Sequence, residues 1–125
     1  MPQMDFELPA NEDAPGLARK AVRELAGTTM SPDDCWRAEL IVTELVTNAV
    51  LYGPGGPVSV ALDLGGNVVH GQVADPGHGI RRRQIVNGRS SGDGGRGLFL
   101  VDLLSDGWGL SDGDSRVWFE VAATA

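Results

Sequence analysis

The sequence of 125 residues predicts an α+β domain, a two-layer α/β sandwich whose mostly antiparallel mixed sheet carries helices on one face. Two observations predict this class. Apolar residues recur with helical spacing in two stretches before position 53, and β-rich runs joined by tight turns follow them. The periodic alternation of strands and helices that marks a doubly wound fold is absent. Because no linker divides a chain of this ordinary domain length, we expect one domain over residues 1–125.

The first half of the chain predicts one strand and two helices. The strand alternates apolar and polar residues and lies at a sheet edge because a proline follows it. The second helix has the clearer start, since Ser31 supplies a hydroxyl cap and Pro32 suits the first turn. The predicted elements are a strand over 4–8, a helix from about residue 14 to Gly27, and a helix from about Pro32 to Tyr52.

The second half predicts a hairpin, a long loop, a helix and two closing strands. Gly65, Gly66 and Asn67 separate the hairpin strands, which is typical of a tight β-turn. About twenty aperiodic residues then form a lid or a disordered loop. The predicted bounds are 58–64 and 68–74 for the hairpin, 75–95 for the loop, 95–106 for a helix carrying Leu98, Phe99, Val101, Leu103 and Leu104, and 108–110 and 116–122 for the last strands.

Composition and charge exclude several classes of function. A formal net charge of -7 argues against non-specific binding to DNA or to anionic membranes, because both need a positive surface. The single cysteine, Cys35, cannot form an internal disulfide and is interpreted as a small apolar residue near a helix start. We see neither a signal peptide nor an apolar run long enough to span a membrane, so a cytoplasmic protein is expected.

Two polar residues interrupt the apolar pattern of the second helix. Glu44 and Asn48 lie one turn apart, about 40° from each other around the helix axis, at the edge of its apolar side. Such side chains are rarely buried without partners. They therefore either line a polar cleft or are satisfied by neighbouring backbone.

Two glycine-containing motifs also carry chemical meaning. In Asp75-Pro76-Gly77-His78-Gly79, an acid ends a β-rich run, and the glycines would let a flat ligand approach the backbone. In Gly94-Gly95-Arg96-Gly97, glycines open a helix, where unpaired N–H groups and the helix dipole favour an anion. Taken alone, the first motif is more typical of a turn, and the second of a loop that ends at a helix.

In this order, the three motifs resemble the N, G1 and G2 boxes of the GHKL ATPase superfamily, which has the Bergerat fold. Within it, ELVTNAVLYG, GGRGLFLVDLLSDGWG and the closing DSRVWFEV resemble the anti-sigma factor serine/threonine kinases of bacterial partner-switching systems. The resemblance covers about residues 10–121. It implies an ATP-binding protein that phosphorylates a STAS-type anti-sigma antagonist and otherwise binds a sigma factor, either as a monomer or as a homodimer.

The resemblance also implies roles for individual residues. Asn48 would be the protein ligand of a magnesium ion that bridges the ATP phosphates, and Glu44 would be the general base. Asp75 would accept a hydrogen bond from the adenine amino group. Glycines would give the ring and the phosphates access to the backbone. An arginine would contact the γ-phosphate as a substitute for the basic residue that this branch often carries just before these glycines. These residues are Gly77 and Gly79 at the ring, Gly94, Gly95 and Gly97 at the phosphates, and Arg96 or Arg89 at the γ-phosphate.

The sequence departs from the family pattern in ways that leave a second function open. Asp93 occupies a place where members of this branch often carry a basic residue. We therefore keep as an alternative a binding module that sequesters a regulator with little or no kinase activity. His70 and His78 are not interpreted as phosphorylation sites, because no upstream helix pair accompanies them. Residues 81–83, three arginines, are interpreted as a solvated lid face rather than a guide for ATP or a partner.

Overall fold

The computed structural model describes residues 2–53, 55–75, 93–111 and 116–124, and for 93–97 it describes the backbone alone. Five strands and three helices lie in these ranges. Residues 76–92 of the predicted loop lie outside these ranges. They include Gly77, His78, Gly79, the arginines at 81–83 and Arg89. The elements are β1 (Gln3–Leu8), α1 (Ala14–Ala26), α2 (Pro32–Tyr52), β2 (Val58–Gly65), β3 (Val68–Ala74), α3 (Asp93–Leu104), β4 (Gly107–Ser111) and β5 (Arg116–Ala122).

The strands form one open sheet in the order β1-β2-β3-β5-β4. All the pairings between described strands are antiparallel, so the expected mixed sheet shows no parallel pair in this part of the chain. β1 lies at one edge, as its following proline predicts. The predicted α+β class with helices packed on a largely antiparallel sheet is confirmed.

The hairpin of β2 and β3 is closed by a two-residue turn. Gly66 has φ 61° and Asn67 has φ 64°, and Gly65 pairs directly with Val68. Positive φ at both central residues defines a type I′ turn, whose twist matches that of the two strands. Glycine and asparagine tolerate this conformation better than other residues do, which is why the sequence motif predicts the turn correctly.

Alternation along the strands decides which sheet face receives the helices. In β2, β3 and β5 every second residue is buried, and the residues between them are partly or fully exposed. The buried members pack with the apolar sides of α1 and α2 into a single cluster. Its largest fully buried side chains are Phe119, Ile41, Leu62, Val22, Val42 and Val46.

α2 is the central helix of the second layer, and its start is fixed by local chemistry. Ser31 has extended backbone, and its Oγ accepts a hydrogen bond from the Asp34 N–H at 3.1 Å. Pro32 occupies the first turn, where its missing N–H is not needed. α2 packs against α1 on one side and α3 on the other. The predicted bounds of this helix, Pro32 to Tyr52, are confirmed.

A buried ionic cluster holds the beginning of α2 to the end of α3 and to the chain end. Arg37 donates hydrogen bonds to Leu104 O at 2.8 Å and to Ala122 O at 2.9 Å, and to Asp34 Oδ1 at 3.0 Å. Asp34 also accepts from the Thr124 N–H at 2.9 Å. Because the start of α2 meets the end of α3 at this contact and the two helices pack on each other, we infer that α2 and α3 run broadly antiparallel.

Candidate functional site

The first candidate site residues, Glu44 and Asn48, lie on the flank of α2 that packs against α3. Both are half-buried. They share this flank with Arg37, which lies two helical turns before Glu44 and contacts the end of α3. Asn48 has an interaction within the structure. These positions agree with the first of the two predicted alternatives, a polar cleft, which here lies at the boundary between α2 and α3.

The topology brings the end of β3 towards the second half of α2. β3 ends at Ala74, which pairs with Ser59 near the start of β2, and the chain reaches β2 directly from the end of α2. Asp75 follows Ala74, is half-buried and has an interaction within the structure. α2 also packs directly on β3. The acid of the second motif therefore lies at the same end of the molecule as Asn48.

The start of α3 lies at this end as well. From Arg37 to Asn48, α2 rises about 16 Å, and α3 rises about the same distance from Leu104 back to Asp93, at about 1.5 Å per residue. Because the helices run antiparallel from the Arg37–Leu104 contact, Asn48 and the first turn of α3 reach a similar level. Three segments that are distant in the sequence thus converge at one end of the domain.

α3 begins at Asp93, two residues before the predicted start at Gly95, and it ends at Leu104 rather than at residue 106. Gly94, Gly95, Arg96 and Gly97 therefore belong to the first turns of the helix and do not precede it. The first four N–H groups of an α-helix have no partner within the helix, so this backbone can donate to an anion. The helix dipole places partial positive charge at the same point.

Two titratable residues in the first turn of α2, Asp34 and Cys35, belong to the packing of the fold and not to the candidate site. Asp34 is buried, and the Thr124 N–H, followed by Arg37 and Ser31, lowers the pKa of its carboxyl to about 2. Burial, followed by the nearby Glu39, raises the pKa of the Cys35 thiol. The Cys35 Sγ lies 3.6 Å from Glu39 Oε2, and the residue is buried near the start of α2, in agreement with its interpretation as a small apolar residue near a helix start.

The sequence interpretation missed the Asp34–Arg37 pair. A signal for this pair was present, because the two residues are spaced i, i+3 on a helix.

The sequence also gave no indication of a depression of about 250 Å³ on the open face of the sheet. This depression lies on the side opposite the helices, away from the three motifs. Its lining residues include Asp63, His70, Gln72 and Trp118.

The described residues provide no group of three or more His, Cys, Asp or Glu side chains that could hold a metal ion by themselves. Magnesium commonly takes one or two protein oxygens and completes its shell with phosphate and water. The Asn48 amide oxygen and the Glu44 carboxylate are hard oxygen donors of the type that this ion prefers. The donor set at this end of the molecule thus fits a nucleotide-bound magnesium ion better than an all-protein metal site.

An open antiparallel sheet with helices on one face, and motif residues gathered at one end of the helix layer, defines an α+β domain of the ATPase type. A model of the family described as "Histidine kinase-like ATPase domain" matches residues 8–120. The chain therefore belongs to the histidine kinase-like ATPase family, and hence to the GHKL superfamily. Membership implies that the domain binds ATP. No curated protein matches the chain.

No helix in the described ranges combines the length and the apolar character that crossing a membrane would require.

Proposed function

We propose that the chain is an ATP- and magnesium-dependent serine/threonine protein kinase that acts on a STAS-type anti-sigma antagonist and otherwise binds a sigma factor. The observation that supports this proposal best is the convergence of α2, the end of β3 and the start of α3 at one end of the domain. Family membership supports the nucleotide, and the resemblance of the motifs supports the reaction.

In this proposal, each residue acts on one part of ATP. Asp75 accepts a hydrogen bond from the adenine amino group. The backbone N–H groups at the start of α3, those of Gly94 and Gly95, hold the phosphates. Gly97 lies four residues after the first residue of the helix, so its N–H bonds within the helix, and the absence of a side chain is what it offers to the phosphates. Asn48 offers its amide oxygen as the protein ligand of magnesium, which neutralises phosphate charge when bound. Gly77 and Gly79, proposed to face the ring, lie outside the described residues.

Glu44 is the proposed general base. It lies one turn before Asn48 on the same flank of α2, so its carboxylate lies near the bound phosphates. It would accept the proton of the attacking serine or threonine hydroxyl as the oxygen–phosphorus bond forms and the bond to ADP breaks. Base catalysis of this kind typically contributes about 10²–10⁴-fold to the rate.

The proposal is tested by calorimetry and phosphoryl transfer on matched variants. Asn48→Ala is expected to abolish magnesium-dependent ATP binding, because it removes the protein ligand of the ion. Glu44→Ala is expected to keep ATP binding and to lose about 10²–10⁴-fold in transfer to an antagonist protein. Thr47→Ala is the control, because Thr47 is a half-buried neighbour about 100° from Asn48 around the axis of α2 and has no role in the proposal; it should behave as wild type. ATP affinity that is unchanged in Asn48→Ala would exclude Asn48 from the site.

A sequestering module without kinase activity is the second candidate. Asp93, the first residue of α3, supports it, because an acid at the phosphate-binding end opposes the γ-phosphate charge. Calorimetry with ATP and magnesium separates the two candidates. Micromolar binding followed by labelled antagonist supports the kinase. Absence of nucleotide binding up to millimolar concentrations supports the module.

A further inference from the structure

α3 exposes two large apolar side chains on the side opposite the core. Phe99 is 53% exposed and Leu103 is 65% exposed, although both belong to the predicted apolar pattern of this helix. Leu98 and Val101, which face the core, are 6% and 0% exposed. Because Phe99 and Leu103 are four residues apart, they form a ridge along the outer side of α3.

α2 carries a second apolar ridge next to the first. Trp36 is 57% exposed, and Leu40, one turn later on the same side of the helix, is half-buried. The hydrogen bond from Arg37 Nη1 to Leu104 O, at 2.8 Å, joins the residues that follow Trp36 and Leu103. This bond places the start of α2 beside the end of α3, so the two ridges lie on neighbouring helices. We call Trp36, Leu40, Phe99 and Leu103 the outer apolar patch.

Carboxylates lie beside the outer apolar patch at the junction of α2 and α3, whereas Arg19 of α1 contacts α2 at Thr43 on the other side of the patch. Asp33, three residues before Trp36 on α2, and Asp102, next to Leu103 on α3, are both exposed. Asp106 follows the end of α3 and is half-exposed. Arg37 at this junction has a side chain that is 19% exposed; it is bound to Asp34, Leu104 O and Ala122 O, and it also lies 3.5 Å from Asp106 Oδ2. Asp102 accepts a hydrogen bond from Trp108 Nε1 at 2.9 Å. Asp33, Asp34, Asp102 and Asp106 are thus four carboxylates beside one guanidinium, and the net charge of these five side chains is negative.

We propose that the outer apolar patch docks an amphipathic helix of a partner protein, and that lysine or arginine residues flank the apolar side of this helix. Two ridges on adjacent, roughly antiparallel helices leave a groove between them, and a third helix can pack its own apolar ridge into such a groove. The carboxylates beside the patch favour a helix that carries lysine or arginine next to its apolar side. A second copy of this chain fits poorly, because each copy carries a net charge of -7.

The surface itself depends only on exposure, packing and charge. The identity of the docked protein as a phosphorylated substrate or a sequestered regulator rests on the proposed function. ATP binding and docking use different residues, since Glu44, Asn48 and Asp75 are not members of the patch. Each can therefore be tested while the other is monitored.

The test uses a fluorescein-labelled amphipathic helical peptide with leucines on one side and lysines flanking them, with fluorescence anisotropy as the readout. Wild-type protein is expected to bind this peptide, to bind it more weakly as salt increases, and to bind a peptide with glutamates in place of the lysines at least tenfold more weakly. Leu103→Ser and Phe99→Ser should each weaken binding of the lysine peptide at least tenfold. Neither variant should affect folding, because both side chains are exposed.

Leu17→Ser and Leu51→Ser are matched controls, because these leucines are 45% and 63% exposed but lie outside the patch. They should bind the lysine peptide as wild type does. Equal loss in the controls and in Leu103→Ser, or equal binding of both peptides, would overturn the docking proposal. So would a wild-type dimer in sedimentation experiments that Leu103→Ser dissociates, because a second copy would then cover the patch.

ATP calorimetry on the same variants separates the two proposals. If Leu103→Ser binds ATP with the same affinity as wild type but no longer binds the lysine peptide, the docking surface is distinct from the nucleotide site. If wild-type protein binds the lysine peptide through the patch but binds no ATP, the proposed kinase function fails and the docking surface stands.

Discussion

Asp34 shows how a single residue can join distant parts of the chain. Its side chain is 2% exposed, and its two carboxylate oxygens accept hydrogen bonds from Arg37 and from the N–H and hydroxyl of Thr124. A buried charge is tolerated when it is paired and hydrogen-bonded in this way. The residue therefore fixes the chain end against the start of α2, far from the three site motifs.

This environment predicts a dependence of stability on pH. The pKa of Asp34 is lowered from its ordinary value of 3.8 to about 2 in the folded protein, chiefly by the Thr124 N–H and then by Arg37. The carboxylate therefore contributes its full stability above about pH 4, and this contribution is lost as the pH falls towards about 2. Asp34→Asn should be less stable than wild type at neutral pH, and the difference should shrink across this acidic window.

Urea midpoints at neutral pH, about pH 4 and about pH 2 measure this difference. Asp33→Asn is the matched control, because Asp33 is the exposed neighbour of Asp34. Its difference from wild type should change much less over the same window. A constant difference between wild type and Asp34→Asn at all pH values would contradict the assignment.

At the scale of elements, local signals predicted much of the fold. Ser31 and Pro32 marked the start of α2, and Gly66 with Asn67 marked the hairpin turn, because each acts on backbone within a few residues. The start of α3 was placed two residues late. Its glycines signal a loop, whereas the helix includes them.

Long-range features could not be read from the same signals. The bond from Thr124 N–H to Asp34 spans ninety positions, and no local pattern encodes it. α3 has apolar residues around most of its circumference, so spacing alone could not tell the buried Leu98 from the exposed Phe99. The site motifs were recognised by their order. Their approach to one end of the domain required the strand order and the antiparallel packing of α2 and α3.

The middle of the sheet depends on one glycine. Gly71 lies on the core face of β3, directly opposite Leu62 of β2 and Phe119 of β5. A Cβ at this position would overlap the Phe119 ring and lie 3.1 Å from the Leu62 Cδ2. Only a residue without a side chain leaves room for this buried ring.

Gly71→Ala is therefore expected to destabilise the protein by about 1–3 kcal/mol through overpacking. Gly16→Ala is the matched control, because it lies in α1, and its added Cβ would have only Arg19 Nη2 near it, at 3.5 Å. Alanine there should stabilise by up to about 1 kcal/mol, since it favours the helix. Chemical denaturation measures both changes. A neutral Gly71→Ala would show that Phe119 can move away at little cost.

At the scale of the whole molecule, topology and charge act in opposite directions on ATP. The strand order and the packing of α2 on α3 gather Asn48, Asp75 and the first turn of α3 at one end. The net charge of -7 opposes the approach of a polyanion. The partial positive charge at the start of α3 offsets only part of this repulsion. A divalent cation is therefore expected to be needed for tight binding.

Thermal unfolding measures this requirement on the intact chain. A ligand that binds only the folded state at one hundred times its Kd stabilises by about 2.7 kcal/mol, which corresponds to a Tm increase on the order of 10 °C for a domain of this size. We expect such an increase with ATP and magnesium together, and a much smaller one with ATP and EDTA. GTP with magnesium should also give a smaller increase in Tm, because Asp75 is expected to accept a hydrogen bond from the adenine amino group.

Asn48→Ala should remove the effect of magnesium on Tm, while Thr47→Ala should keep it. An increase of equal size with and without magnesium would show that helix and backbone contacts alone overcome the negative charge of the protein.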